Sequence, residues 1–210
     1  APQYQEQRGI LRVDEHLMHR ARAGILTVFA VLVSAAAFAQ GQTQEKLKVV
    51  YGLSIPDRVG SLVYGRTIDF ESKTPGLGYA LRFGGQPGWM VDVYLYDLGL
   101  KTFPADAESE VVRSQLAQAR GDVFELGKRG TYANVTDKGD FKVPMTGKPR
   151  FICASFAYLR GERVDMDVES YLCLSSWNNK FVKIRMTAPK GTLTRSDATS
   201  FVQAWIDLLR

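Results

Sequence analysis

FICASFAYL (residues 151–159), DMDVESYLCLSSW (165–177) and KFVKIRMT (180–187) decide the fold of this chain. Each run alternates apolar and polar residues or is apolar on both faces, as strands do. The first two carry Cys153 and Cys173, which are the chain's two cysteines. Setting those cysteines opposite each other fixes an antiparallel register. Ile152 then faces Leu174, Ala154 faces Leu172 and Tyr158 faces Val168. The apolar residues gather on one face and the cysteines share the other, so a disulfide and the hydrophobic pattern agree. An isolated pair in an oxidising compartment becomes a bridge. Closing a loop of about 21 residues contributes roughly 3 kcal/mol in the chain-entropy model.

The turn into the third run is open to two readings. A two-residue loop at Asn178-Asn179 sets Leu172 against Arg185 and Leu174 against Lys183. A three-residue loop from Trp177 to Asn179 pairs Leu174 with Val182 and Leu172 with Ile184. Burial favours the second.

Working outward, Lys48 to Leu53 is expected as a first strand, ended by Ile55-Pro56-Asp57. Leu62 to Phe70, Leu77 to Phe83 and Trp89 to Asp97 alternate as a meander. The glycine-rich stretch Gly84 to Gly88 is a hairpin loop and not a phosphate cradle, because no helix follows it. Asp106 is expected to cap a helix over 107–126, whose stripe is Val112, Leu116, Ala119 and Val123. Residues 128–150 are turn-rich and read as a long connection with one short strand. Thr194 or Ser196 caps a last helix, 195–209, with Phe201, Val202, Trp205, Leu208 and Leu209 inward.

The order is strands, helix, strands, helix. That predicts an α+β domain over 48–210, with a mainly antiparallel twisted sheet of about six to seven strands and two main helices.

Upstream, Met18 to Ala39 has the plan of a signal peptide. Arg20 and Arg22 precede an apolar run from Ile25, and Ala37-Phe38-Ala39 predicts cleavage between Ala39 and Gln40. The run is about fifteen residues, or roughly 22 Å as a helix, shorter than a hydrocarbon core of about 30 Å. A signal-peptide helix is therefore expected rather than a membrane anchor. Residues 1–17 are expected to be an over-extended start before Met18, and residues 40–47 a polar leader.

Removing residues 1–39 leaves 171 residues with a net charge of +4. The basic residues are scattered, so no nucleic-acid partner is expected. His16 and His19 are the only histidines, and both leave with the signal. A mature chain without imidazole cannot assemble a Ser-His or Cys-His pair, or a zinc site with imidazole ligands. No catalytic residue, cofactor or metal is expected.

Three further sets of residues are candidate sites. Asp165, Asp167 and Glu169 alternate along a strand, a sparse set for calcium without a wrapping loop. Asp92, between Val91 and Val93, is a carboxylate for acid–base work if its face is enclosed, or else faces solvent or pairs with Arg82 on the next strand. Trp89, Tyr94, Tyr96, Tyr158, Tyr171 and Trp177 are the candidate ligand or partner surface, since aromatic residues with arginine dominate such surfaces.

At the level of topology the chain resembles the PsbP/Mog1-like group, and also exported proteins of Gram-negative bacteria. That group includes photosystem accessory proteins, a small-GTPase partner and bacterial domains of unknown function. The resemblance implies a binding or accessory role. The expectation is a periplasmic or secreted, non-catalytic protein that meets an envelope protein or a small ligand and is not stably inserted in the membrane. The alternatives are a carboxylate-dependent hydrolase of envelope glycans and a structural protein of the envelope.

Overall fold

The computed structural model describes residues 48–145, 148–160 and 166–210. The expected signal peptide 18–39, the expected cleavage site at Ala39 and Gln40, the expected leader 40–47 and Asp165 lie outside the described residues. All described residues belong to one compact unit, Glu45–Arg210.

The strands run β1 (Val49–Val50), β2 (Leu53–Ser54), β3 (Arg58–Val59), β4 (Leu62–Asp69), β5 (Tyr79–Gly84), β6 (Met90–Tyr96), β7 (Tyr132–Met145), β8 (Lys148–Arg160), β9 (Met166–Trp177) and β10 (Lys180–Pro189). Helix α1 (Glu110–Lys128) follows β6, and α2 (Arg195–Leu208) ends the fold. Strands β3 to β10 form one eight-stranded antiparallel sheet in the order β3-β4-β5-β6-β10-β9-β8-β7. The fold is therefore α+β, with a larger sheet than the sequence pattern suggests.

The β8–β9 register is the expected one, with Ile152 opposite Leu174, Ala154 opposite Leu172 and Tyr158 opposite Val168. Cys153 and Cys173 face each other and are joined by a buried disulfide.

The β9–β10 turn goes the other way from the burial argument. It is the two-residue loop, with Lys183 opposite Leu174 and Arg185 opposite Leu172. Asn178 and Asn179 both adopt left-handed backbone, with φ of 44° and 54°, as a tight hairpin turn with matching twist requires. Burial misleads here because β9 is buried on both faces from Ser170 to Ser176. Alternation then no longer selects a register.

The 128–150 stretch is also corrected. It holds the 14-residue edge strand β7, not a long connection. Irregular pairing at Ala133/Thr136, Asp137/Gly139 and Val143/Pro144 breaks the two-residue period. Asn134 and Gly139 take positive φ along it. The bulges make turn-like sequence compatible with an edge strand. At the other end, the expected strand Lys48 to Leu53 is a small β1–β2 hairpin around Tyr51-Gly52.

Helix α1 starts three residues later than expected. Ser109, not Asp106, is its N-cap. The Asp106 carboxylate instead accepts the Glu108 N–H at 2.9 Å. Of the two expected caps for helix α2, Thr194 and not Ser196 is the one observed, closed reciprocally by Asp197. Its first turn holds the Asp197 carboxyl below the usual range, through hydrogen bonds from the Thr194 hydroxyl and backbone N–H.

The helices lie on opposite faces of the sheet. Trp205 and Phe201 of α2 pack edge-on against Phe83 at 5.9 and 5.8 Å. Helix α2 contacts both β3 and β7, the two edges of the sheet, so the sheet wraps around it. Helix α1 packs on β7, β8 and β9 from the other side, with Val112, Leu116, Ala119, Val123 and Leu126 inward. Among the described residues no helix is long and apolar enough to cross a membrane.

Candidate functional site

Gly65 sits where the β4–β5 register shifts between Tyr64 and Arg66. Up to Tyr64, β4 keeps its alternation, and Tyr64 joins Phe83 in the core under α2. Beyond the bulge the faces exchange. Arg66 pairs with Arg82, and Ile68 with Ala80. The strict alternation Leu62-Tyr64-Arg66-Ile68-Phe70 expected from the sequence would have kept all five on one side. A glycine inside a strand is the signal for the exchange.

The consequence is a strip on the α1 side of the sheet, outside the three strands that α1 packs on. One row across four strands reads Arg66, Arg82, Asp92, Arg185. The next reads Ile68, Ala80, Tyr94, Lys183. Ala80, Asp92 and Tyr94 are buried, while Arg66, Ile68, Arg82, Met90, Lys183 and Arg185 are half-buried. The floor is thus fixed, and cationic and apolar tips rise from it.

The cations differ in how they are held. Arg82 donates two hydrogen bonds to the Asp92 carboxylate, from Nε at 2.7 Å and from Nη2 at 2.8 Å. Asp92 is buried and does not face solvent, and the expected pair with Arg82 is the one observed. Lys183 places its Nζ 4.2 Å from the Tyr94 ring centre, a cation–π contact. Arg185 donates to the phenol oxygens of Tyr132, at 3.0 Å, and Tyr158, at 3.4 Å. Those two rings stack at 4.1 Å. Arg66 has no ion pair among the described residues and stands directly opposite Arg82.

The phenols along this face are tuned in opposite directions. Burial pushes the Tyr96 phenol above its ordinary range. It sits against α1, where Gln115 reaches its oxygen at 3.3 Å. Burial would also raise Tyr158. The Arg185 charge, with hydrogen bonds from Ser170, Arg185 and Thr187, outweighs it and holds that phenol below the ordinary value.

The six aromatic residues expected to share a surface divide between the two faces. Tyr94, Tyr96 and Tyr158 lie on the α1 side and are buried. Trp89, Tyr171 and Trp177 lie on the α2 side, where Tyr171 is buried and both tryptophans are half-buried against the core. Of the six, Tyr94, Tyr96 and Tyr158 contact the cations of the strip. The cations themselves escape the sequence reading, which finds the basic residues scattered.

Of the expected series Asp165, Asp167 and Glu169, Asp165 lies outside the described residues. Asp167 pairs with Lys190 at 3.2 Å, and Glu169 is half-buried. Among the described residues no cluster of three or more metal-ligating side chains occurs. The Gly84 to Gly88 loop joins β5 to β6, as a hairpin loop does.

No protein-family model matches the sequence. No curated protein matches it either. Among solved structures, the chain is similar to a mutant of the protein Mog1 at 12% identity and a TM-score of 0.33, over 71% of this chain and 86% of that one. It is similar to PA94 from Pseudomonas aeruginosa, described as a protein of unknown function and putative regulator, at 12% identity and a TM-score of 0.30, over 74% and 85% of the two chains. At this distance neither likeness bears on what the chain binds.

Proposed function

We propose that this protein is an exported, disulfide-bonded binding or accessory protein without catalysis of its own, and that it meets its partner through the strip beside α1. The observation that carries the reading is Arg66. Asp92 already holds Arg82, whereas Arg66, directly opposite Arg82, has no ion pair among the described residues. A half-buried guanidinium without an ion pair is a donor that a partner can use. The half-buried Ile68 and Met90 beside it add apolar contact. Export is supported by the signal-like segment 18–39 and by the buried disulfide, which suits an oxidising compartment. Asp92, bound by two guanidinium N–H groups, gives no support to a hydrolase built on it.

Photo-crosslinking in the cell tests the reading. A photoreactive residue in place of Ile68 or Met90 is expected to trap one discrete species. The same residue in place of Lys138, on β7, is expected to trap none. Equal labelling from all three positions contradicts the binding surface. Mass spectrometry tests export: a mature chain starting at Gln40, with Cys153 and Cys173 resistant to alkylation, is the expected form. An intact N-terminus in the cytosol with both thiols alkylated overturns it.

A further inference from the structure

We infer that the partner presents an extended segment whose apolar side chain seats over Gly84 and whose carboxylate, two residues along, meets Arg66. This rests on the binding reading above and adds the chemistry of the occupant. Beside the row of Arg66 and Arg82 runs the row Val63, Gly84, Met90. Val63 pairs with Gly84, and the register that sets Phe83 opposite Val91 brings Met90 next to Gly84. Their chain neighbours Leu62, Tyr64, Phe83 and Val91 belong to the core under α2, so these three residues face the α1 side. Val63 is 39% exposed, and Met90 is half-buried. Gly84 takes no positive φ, and a Cβ added to it would meet no other group within 4 Å. Neither its backbone nor a neighbouring atom requires glycine there, although glycine weakens a strand. The missing side chain leaves a notch floored by backbone. Its walls, Val63 and Met90, stand two strand spacings apart, about 10 Å. A notch of that width takes one side chain, and the walls suit an apolar one.

The charge beside the notch sets the second contact. Arg66 is half-buried and has no ion pair among the described residues. Arg58, opposite Val63 at the end of the row, is exposed and likewise has no ion pair among them. It donates to the Ser61 carbonyl at 3.4 Å. Asp92, in the adjoining row, is taken up by Arg82. The rim nearest the notch is therefore positive, and a carboxylate is the matched ligand of a guanidinium fork. Arg66 and Val63 stand opposite Arg82 and Gly84, which are two residues apart on β5, about 7 Å. An extended chain repeats its side-chain direction at the same interval. An apolar residue at i and a carboxylate at i+2 thus meet the notch and Arg66 together. The notch is one side chain wide, and the adjoining row is charged, so it gives no apolar ground to an acyl chain.

The test uses the full chain and fluorescence anisotropy with two labelled nonapeptides of serine and threonine. One carries leucine at position 4 and glutamate at position 6, and the other has the two exchanged. Control peptides replace the glutamate by glutamine or the leucine by serine, and vesicles of phosphatidylglycerol are the remaining probe. The expected result is saturable binding of one of the two orders, weakened by salt. It falls about tenfold with glutamine and about tenfold with serine in place of leucine. It falls as far in Arg66→Gln, and also in Gly84→Leu, which fills the notch and keeps the unfolding temperature. Lys138→Glu leaves it unchanged. Absence of binding by both orders overturns the inference, as does equal binding of the controls or full binding by Gly84→Leu. Vesicle binding without peptide binding also overturns it, in favour of an anionic lipid surface. Where one of the two variants fails to fold, the other decides alone. Crosslinking from Met90 with no binding of either peptide removes this inference and keeps the binding surface. Loss of both removes the two together.

Discussion

The two faces of this sheet do different work with the same strands. On the α2 side, Phe83, Trp205, Phe201 and the Cys153–Cys173 bridge are closed off and nearly all apolar. Even the Trp205 indole N–H has no hydrogen-bond partner among the described residues, so that side chain acts through packing alone. On the α1 side, β4, β5, β6 and β10 carry Arg66, Arg82, Asp92, Lys183 and Arg185 within two adjacent rows. Of these, Arg82 is held by Asp92, while Arg66 has no ion pair among the described residues. The difference separates groups that hold the fold from groups that the fold holds in place.

The sharpest way to break this division is on the α2 side. Trp205→Ala is expected to cost about 3–5 kcal/mol, because the vacated volume is closed in on all sides. Denaturant unfolding measures it, and a loss below about 1 kcal/mol would mean that α2 is not what seals the core. Replacing both cysteines by alanine is expected to cost about 3 kcal/mol. Adding reductant is then expected to destabilise the parent and leave the double variant unchanged.

On the other face the losses are smaller and follow a different rule. Asp92→Ala strands the Arg82 guanidinium and is expected to cost about 1–3 kcal/mol. Replacing both members, Arg82→Met with Asp92→Leu, is expected to cost less than Asp92→Ala alone, since no charge is left buried without its partner. A double variant that loses the sum of both singles contradicts this.

Helix capping gives a smaller effect. Thr194→Ala is expected to cost about 1 kcal/mol. The Asp197 carboxyl is lowered by hydrogen bonding to Thr194, so its contribution is present above the unfolded pKa of about 4 and is lost as pH falls through the folded value. In Asp197→Asn this part of the acid destabilisation is expected to disappear from the stability–pH profile.

The least costly test of the α1 side is spectroscopic. Tyr158 is expected to ionise below the ordinary phenol value of about 10 and Tyr96 above it. Absorbance titration of the folded protein is expected to show an early step that Tyr158→Phe removes. By linkage, Tyr158 favours the native state once pH rises past its folded value. Tyr96 contributes stability below about pH 10 that is lost as pH rises toward its own.

The parts of this molecule that read plainly from sequence are those where one physical signal acted alone. The cysteine pair and the apolar alternation of β8 and β9 point to one register. The Thr194-to-Asp197 spacing marks the start of α2. The misread parts are those where a second layer or a bulge intervened. Covering β9 on both faces removed the burial contrast that would have selected the Asn178-Asn179 turn. Three irregular pairings hid β7 among turn residues. At the strip the cause is Gly65, whose bulge carries Arg66 from the core side to the side of Arg82. Each cation is visible in the sequence, but their convergence depends on a face exchange that alternation cannot register.

Arg66→Glu tests the central claim most directly, read out by thermal unfolding and by crosslinking from Met90 on the same preparation. The change turns a like-charge pair into an opposite-charge pair, worth about 0.2–1 kcal/mol in favour of the fold. The account predicts an unfolding temperature that is kept or raised, together with loss of the crosslinked species. A lower unfolding temperature with the crosslink intact would contradict it, because Arg66 would then serve the fold and not the partner.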